Sequence, residues 1–237
     1  MNPGITGDTF GQAYRRAVDA YTDGLSHTNL TVIVNNAIDD VDDVPNSLQI
    51  DDWEEYLAMG DEWELLKDMS YQKESPKTGG SRGHDWVTDR ILELQRDMYW
   101  ERIEEDVEKI TDRLQDGLHG SSTNALVAQV FGEDDLTNAC VSRPQVSAMP
   151  CVTQVQFHPV KDKLHLHITL RSQYLDLKGL GNLVSAATLL TTVASNTGYT
   201  PGTIVEHVHN VTTYDDELMG RIQRTMEIYK ANDQILG

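Results

Sequence analysis

Two runs of alternating residues, VTQVQFHPV at 152–160 and LHLHITLR at 164–171, are separated only by the turn Lys161-Asp162-Lys163. Alternation with period two sends successive side chains to opposite faces, and so short a connection permits only an antiparallel pair. This hairpin is the firmest constraint on what the chain can become, because everything else must cover one of its faces. Elsewhere the period changes. Phe10 to Tyr21 carries Ala13, Tyr14, Ala17 and Tyr21 at helical spacing, with Gly24 as a stop. The β-branched run TVIV within 30–35 reads as a buried strand, and 53–69 as a helix with Trp53, Tyr56, Leu57, Trp63 and Leu66 sharing a face. A long helical region is expected over 85–114, strands over 125–131 and 203–213, and helices over 182–197 and 216–230. No linker and no internal repeat divides the chain, so residues 1–237 are expected to form one α+β domain. Its sheet is antiparallel or mixed, with helices against one face. Residues 70–84, with Ser75, Pro76, Gly79, Gly80 and Gly83, read as an exposed flexible loop.

The formal charge is −19, and the acids are spread along the chain rather than gathered in a tail. That balance argues against nucleic acid as a partner, since phosphate backbones are bound by clustered Lys and Arg. It suits an acidic, solvated shell of the kind that keeps a halophilic protein soluble. Two cysteines, Cys140 and Cys151, make no disulfide framework. With a polar stretch over Met1–Phe10 and no apolar run long enough to cross a bilayer, the expected setting is the cytoplasm, without membrane contact.

Cys151 follows Met149-Pro150 and opens the first strand of the hairpin, at the rim of the sheet. As a nucleophile it would need its thiolate favoured, which Arg171 at the other end of the hairpin would do. As a structural residue it would be one more small buried side chain. Four histidines alternate in pairs, His165 with His167 and His207 with His209, each pair on one face of its strand. They suit a polar sheet interface. The sharper alternative is a transition-metal site or a pH-sensitive contact between two copies.

From Met149 the chain runs MPCVTQVQFHPV, then LRSQYLDLKGLGNLVSAATLL, a Gly turn, and a strand ending in HNVTTYDD. This ordered set resembles the C-terminal half of thymidylate synthases, which carry a Pro-Cys turn, a Gln-Phe strand, Arg-Ser, a Gly-Leu loop ending in Asn, a helix and a His-x-Tyr strand. The resemblance implies a homodimer with the sheets back to back. It also implies transfer of a one-carbon unit from methylenetetrahydrofolate, or a related reduced pterin, to C5 of a pyrimidine nucleotide. Cys151 would add to C6 of the base. Arg171 would bind the phosphate and favour the Cys151 thiolate, and Ser172 would add a donor to that phosphate. Asn182 would read the base edge, its amide suiting uracil O4 and N3–H. Tyr214 would reach the sugar, Gln154 would be a further substrate contact, and Asp176 would meet the pterin. Glu54, in WEEYLAMGD, stands nearest to the family's catalytic Glu. Taken singly, Arg171 also fits a surface ion pair, Asn182 a helix N-cap before Leu183 and Tyr214 a packed aromatic.

The chain departs from the pattern in telling places. Thr123 and Asn124 stand where the family has an Arg-Arg pair that reaches the partner's phosphate, and no Arg lies within residues 1–10. Thr212 replaces the His of His-x-Tyr, and Tyr174 replaces an Asp that contacts the pterin. Losing charge-assisted phosphate contacts weakens binding. Two alternatives therefore stay open: a pyrimidine nucleotide hydroxymethylase, and an inactive homologue that keeps the fold as a nucleotide-binding or structural module.

Overall fold

In a computed structural model the described residues are 4–24, 28–36, 99–117, 125–140 and 150–213, with Asp216, Met219, Gly220, Ile222 and Gln223 beyond them. Glu54, Tyr214, the helix expected at 53–69 and the loop at 70–84 lie outside the described residues. The expected α+β arrangement is what the chain adopts: a mixed sheet with its helices on one face.

The hairpin forms as its alternation requires. Strand β4 (Val152–Val160) pairs antiparallel with β5 (Lys163–Leu170) through a turn in which Lys161 takes a left-handed φ of 57°. β3 (Val127–Gln129) adds antiparallel to the outer edge of β4. On the other side β5 pairs parallel with β7 (Thr200–Thr212), and β7 pairs antiparallel with β2 (Thr28–Val34). β1 (Ile5–Gly7) closes that edge, parallel to β2, and the short β6 (Gln173–Tyr174) pairs with the end of β7. The sequence reading missed β1 and β6, which are too short to show a period.

One face collects Leu30, Val32, Val34, Ile204, Val208, Leu164, Leu166, Ile168, Leu170, Val155 and Phe157, all buried in a single apolar cluster. Helix α1 (Phe10–Thr22) packs there through Phe10, Ala13, Tyr14, Ala17 and Val18, a five-residue stripe at helical spacing. Its start is capped: Thr9 Oγ1 accepts from the Gln12 N–H, and Gln12 Oε1 accepts from the Asp8 N–H. Helix α2 (Glu104–Gln115) follows a one-turn 3-10 segment and buries Ile110 and Leu114. Helix α3 (Glu133–Cys140), which shows no clear period in the sequence, is held to that 3-10 segment by Arg102–Asp135 at 2.8 Å. The Gly132 N–H, then Arg102, hold the Asp135 carboxyl below its usual range.

Helix α4 (Leu180–Thr197) is the crossover between the parallel strands β5 and β7. Its first eight residues are all buried, and small side chains (Ser185, Ala186, Ala187) let it lie close on the sheet. A five-residue π turn (Leu175–Gly179) leads into it, and Tyr14 of α1 donates its hydroxyl to the Leu175 carbonyl there, at 3.2 Å. The opposite face of the sheet carries Thr31, His207, Thr169, His167, His158 and Gln156, half-buried or exposed.

At Gly7 a Cβ would stand 2.4 Å from the Ala13 nitrogen and 2.7 Å from its Cα, both helix backbone. Nothing there yields without moving α1. Gly7→Ala is expected to lower stability by about 2 kcal/mol or more, read as a drop in urea midpoint at unchanged slope. A loss under about 0.5 kcal/mol would show that α1 shifts freely on the sheet.

Candidate active site

Cys151 occupies the bend between Pro150 and β4 and is half-buried. The hairpin returns Arg171 to the same place: its N–H donates to the Cys151 carbonyl at 2.9 Å, and its Nε donates to the Pro150 carbonyl at 3.0 Å. The guanidinium thus clamps the segment that carries the thiol. Ser172 Oγ lies 3.7 Å from Cys151 Sγ, its hydroxyl directed at the sulfur. Three residues singled out from sequence are therefore brought together by the pairing of β4 with β5.

Two more groups join them that sequence reasoning missed. Tyr99, just ahead of α2, is buried close to Cys151. Burial, then the charge of Cys151, pushes its phenol well above the ordinary range, while Arg171 pulls the other way. The available signal was the aromatic pair Tyr99-Trp100 inside an otherwise charged helical stretch. Lys178, on the π turn, is the other. Its pKa is held below the usual lysine range by burial first, with the Arg171 charge adding to this and the Cys151 charge opposing it. Two cations thus face one thiol.

Asn182 is the third residue of α4, so it is not the N-cap that a helix beginning at Leu183 would have required. The helix starts at Leu180, earlier than the sequence pattern suggests, because the π turn delivers it already wound. The Asn182 side chain is 4% exposed, and neither Oδ1 nor Nδ2 has a hydrogen-bond partner among the described residues. A buried amide left unpaired costs about 1–3 kcal/mol, so a partner supplied from outside would be well received.

Glu206 stands on the helix-covered face of β7, 2% exposed and flanked across the sheet by Val32 and Ile168. Gln173 Nε2 donates to Glu206 Oε1 at 3.0 Å, while Gln173 Oε1 has no partner among the described residues. Burial raises the Glu206 pKa to about 8, against a smaller lowering by the Gln173 hydrogen bond. The signal was legible: in Ile204-Val205-Glu206-His207-Val208 an acid occupies the apolar phase of a strand.

Other expected residues stand apart. Gln154 pairs with Thr169 on the histidine-bearing face, opposite to that of Glu206. Asp176 lies in the π turn at 2% exposure, whereas Tyr174, two residues earlier, is 41% exposed. The four histidines share one face, with His207 and His209 ring centroids 4.9 Å apart. His165 Nδ1 accepts the Thr203 N–H where the β5–β7 register shifts, and His207 Nδ1 bonds Thr31 Oγ1 at 3.0 Å. Among the described residues no three His, Cys, Asp or Glu side chains gather as a metal site, and no helix is long and apolar enough to cross a membrane.

A family model described as thymidylate synthase matches residues 49–230, a span that includes Cys151, Arg171, Ser172 and Asn182. A search of curated proteins finds no match.

The buried acid has a thermodynamic signature. Unfolded, Glu206 releases its proton near 4.5; folded, it keeps it to about 8. Between these values the folded state binds more protons, so its contribution is complete at acid pH and is lost as pH rises towards 8. The slope reaches about 1.4 kcal/mol per pH unit. Denaturant unfolding from pH about 5 to about 8 should show stability falling in wild type, and a flatter profile in Glu206→Gln.

Proposed function

We propose a one-carbon transfer to C5 of a uracil nucleotide for this chain, which belongs to the thymidylate synthase family. The observation that carries the reading is the convergence of Arg171, Ser172, Tyr99 and Lys178 on the half-buried Cys151. A thiol supported in this way is suited to add to C6 of a pyrimidine. The S–C6 bond forms as the C5–C6 double bond opens, and the electron pair moves through C5 onto the C4 carbonyl, leaving C5 nucleophilic. Stabilising that enolate needs hydrogen-bond donors at O4, and the unpaired amide of Asn182 offers one donor and one acceptor for the uracil edge. Arg171 and Lys178 supply positive charge for the phosphate, and Ser172 a hydroxyl. A reduced folate bound as second substrate supplies the one-carbon unit and the hydride that completes a methyl group. Loss of the C5 proton and expulsion of Cys151 restore the ring.

Glu54 as orderer of water, Tyr214 at the sugar, and Gln154 and Asp176 as further contacts are part of this proposal. So is a cytoplasmic homodimer joined through the histidine-bearing face. The replacement of the Arg-Arg pair by Thr123 and Asn124 favours one second reading, a substrate other than dUMP. Hydroxymethylation, with water in place of hydride, is distinguished by a product one oxygen heavier.

Release of tritium from C5-labelled dUMP, with and without methylenetetrahydrofolate, tests the reading. Folate-dependent release in wild type and none in Cys151→Ala is the expected result; equal release from both sinks it. Asn182→Asp should lower kcat/KM on dUMP by about a hundredfold and raise relative turnover of dCMP, since the carboxylate accepts from a cytosine amine and repels uracil O4.

A further inference from the structure

Glu206 and Gln173 present two facts that one arrangement explains. The carboxyl is buried between Val32 and Ile168 with the Gln173 amide as its hydrogen-bond partner among the described residues. That same amide has an oxygen, Oε1, that is buried and lacks a donor. A carboxylate there would be an uncompensated charge against apolar neighbours. A carboxylic acid would be neutral and would carry the O–H that Gln173 Oε1 lacks.

The titratable groups around this face are Tyr99 ahead of α2, Cys151 ahead of β4, Arg171 after β5, Asp176 and Lys178 on the π turn and Tyr14 on α1. Helix α4, which covers β7 and β5, contains no titratable side chain in the whole of Leu180–Thr197. The charge of Glu206 is felt at Tyr99, as is that of Cys151. Along the chain Gln173 directly follows Ser172, whose hydroxyl meets Cys151, and its backbone pairs with Val211 of β7. A tie from its side chain to Glu206 therefore fixes the Arg171–Gln173 turn to β7 at a second point.

We propose that Glu206 and Gln173 form a closed acid–amide pair, the neutral acid donating back to Gln173 Oε1, and that this pair positions the Arg171–Gln173 turn against Cys151. The positioning half rests on the reading of Cys151 as the reactive group; the pair itself does not. Ionising Glu206 opens the pair and puts a negative charge near Tyr99.

The test uses the full chain labelled with carboxyl-13C glutamate, titrated by NMR, with the Glu206 resonance assigned by its loss in Glu206→Gln. The expected midpoint is near 8. The Gln173 side-chain carbonyl, labelled with 13C and assigned by its loss in Gln173→Leu, should titrate with the same midpoint, since ionising the acid removes the proton it accepts. A Glu206 midpoint in the ordinary carboxylate range, or a Gln173 carbonyl that does not shift across it, overturns the pair. If Glu206→Gln does not fold, the shared midpoint makes the assignment.

The second readout is iodoacetamide alkylation of the peptide carrying Cys151, followed by mass spectrometry. The rate ratio of Glu206→Gln to wild type should be near one below the midpoint and rise to about threefold above it, where the opened pair no longer holds the turn and the worth of one hydrogen bond is lost. A ratio constant across the midpoint overturns the positioning role. Alkylation needs neither nucleotide nor folate. Failure of tritium release with both of these results intact would fall on the proposed reaction and leave the pair standing.

Discussion

Neighbouring strands that run the same way cannot be joined by a tight turn, and β5 and β7 run the same way. The chain leaves β5 at Leu170 and re-enters the sheet at Thr200, so the residues between must climb over the face and return. Every group of the candidate site except Tyr99 and Cys151 lies in that excursion or on the strand it leads to. Arg171, Ser172 and Gln173 are its first residues, Lys178 lies in the π turn and Asn182 in the first turn of α4. The parallel pairing demands a crossover, and the crossover sets chemistry-bearing side chains beside the hairpin's open end.

Charge in the site is divided between two levels. At the rim, Arg171 and Lys178 put positive charge near the half-buried Cys151. Deeper in the sheet, on β7, Glu206 sits in full burial where only a neutral form is at ease. The overall charge of −19 makes this local reversal of sign more pronounced. An anionic substrate would meet a repulsive shell and an attractive mouth, so encounter should depend on ionic strength more strongly than final binding does.

Much of this could be read from residue order. The hairpin, α1, α4 and β7 follow from alternation, helical stripes and Gly stops, because each is long enough to show its period. β1, β6 and the π turn could not be read, since two to five residues carry no period and form because longer neighbours position them. Cys151, Arg171, Ser172 and Asn182 were legible as an ordered set, and three of them meet through the β4–β5 register. Tyr99 was not, because its partner is more than fifty residues away and the aromatic pair Tyr99-Trp100 marks burial without saying against what. The N-cap alternative for Asn182 failed for a related reason: an apolar pattern marks where a helix is buried, not where its winding begins.

The π turn ahead of α4 also bears on how this chain tolerates change in length. A wide turn of five residues (Leu175–Gly179) stores the slack between two points that are fixed independently, the Arg171 ladder at one end and the sheet-packed face of α4 at the other. Removing one residue from it would tighten the turn towards ordinary α-helix. Asn182 would then be carried about 100° around the helix axis, since each residue contributes that much rotation. The alternative is for α4 to screw in its seat and bring different side chains onto the sheet. Relatives of this chain should therefore accept substitution between Arg171 and Asn182 far more readily than any change in the number of residues separating them.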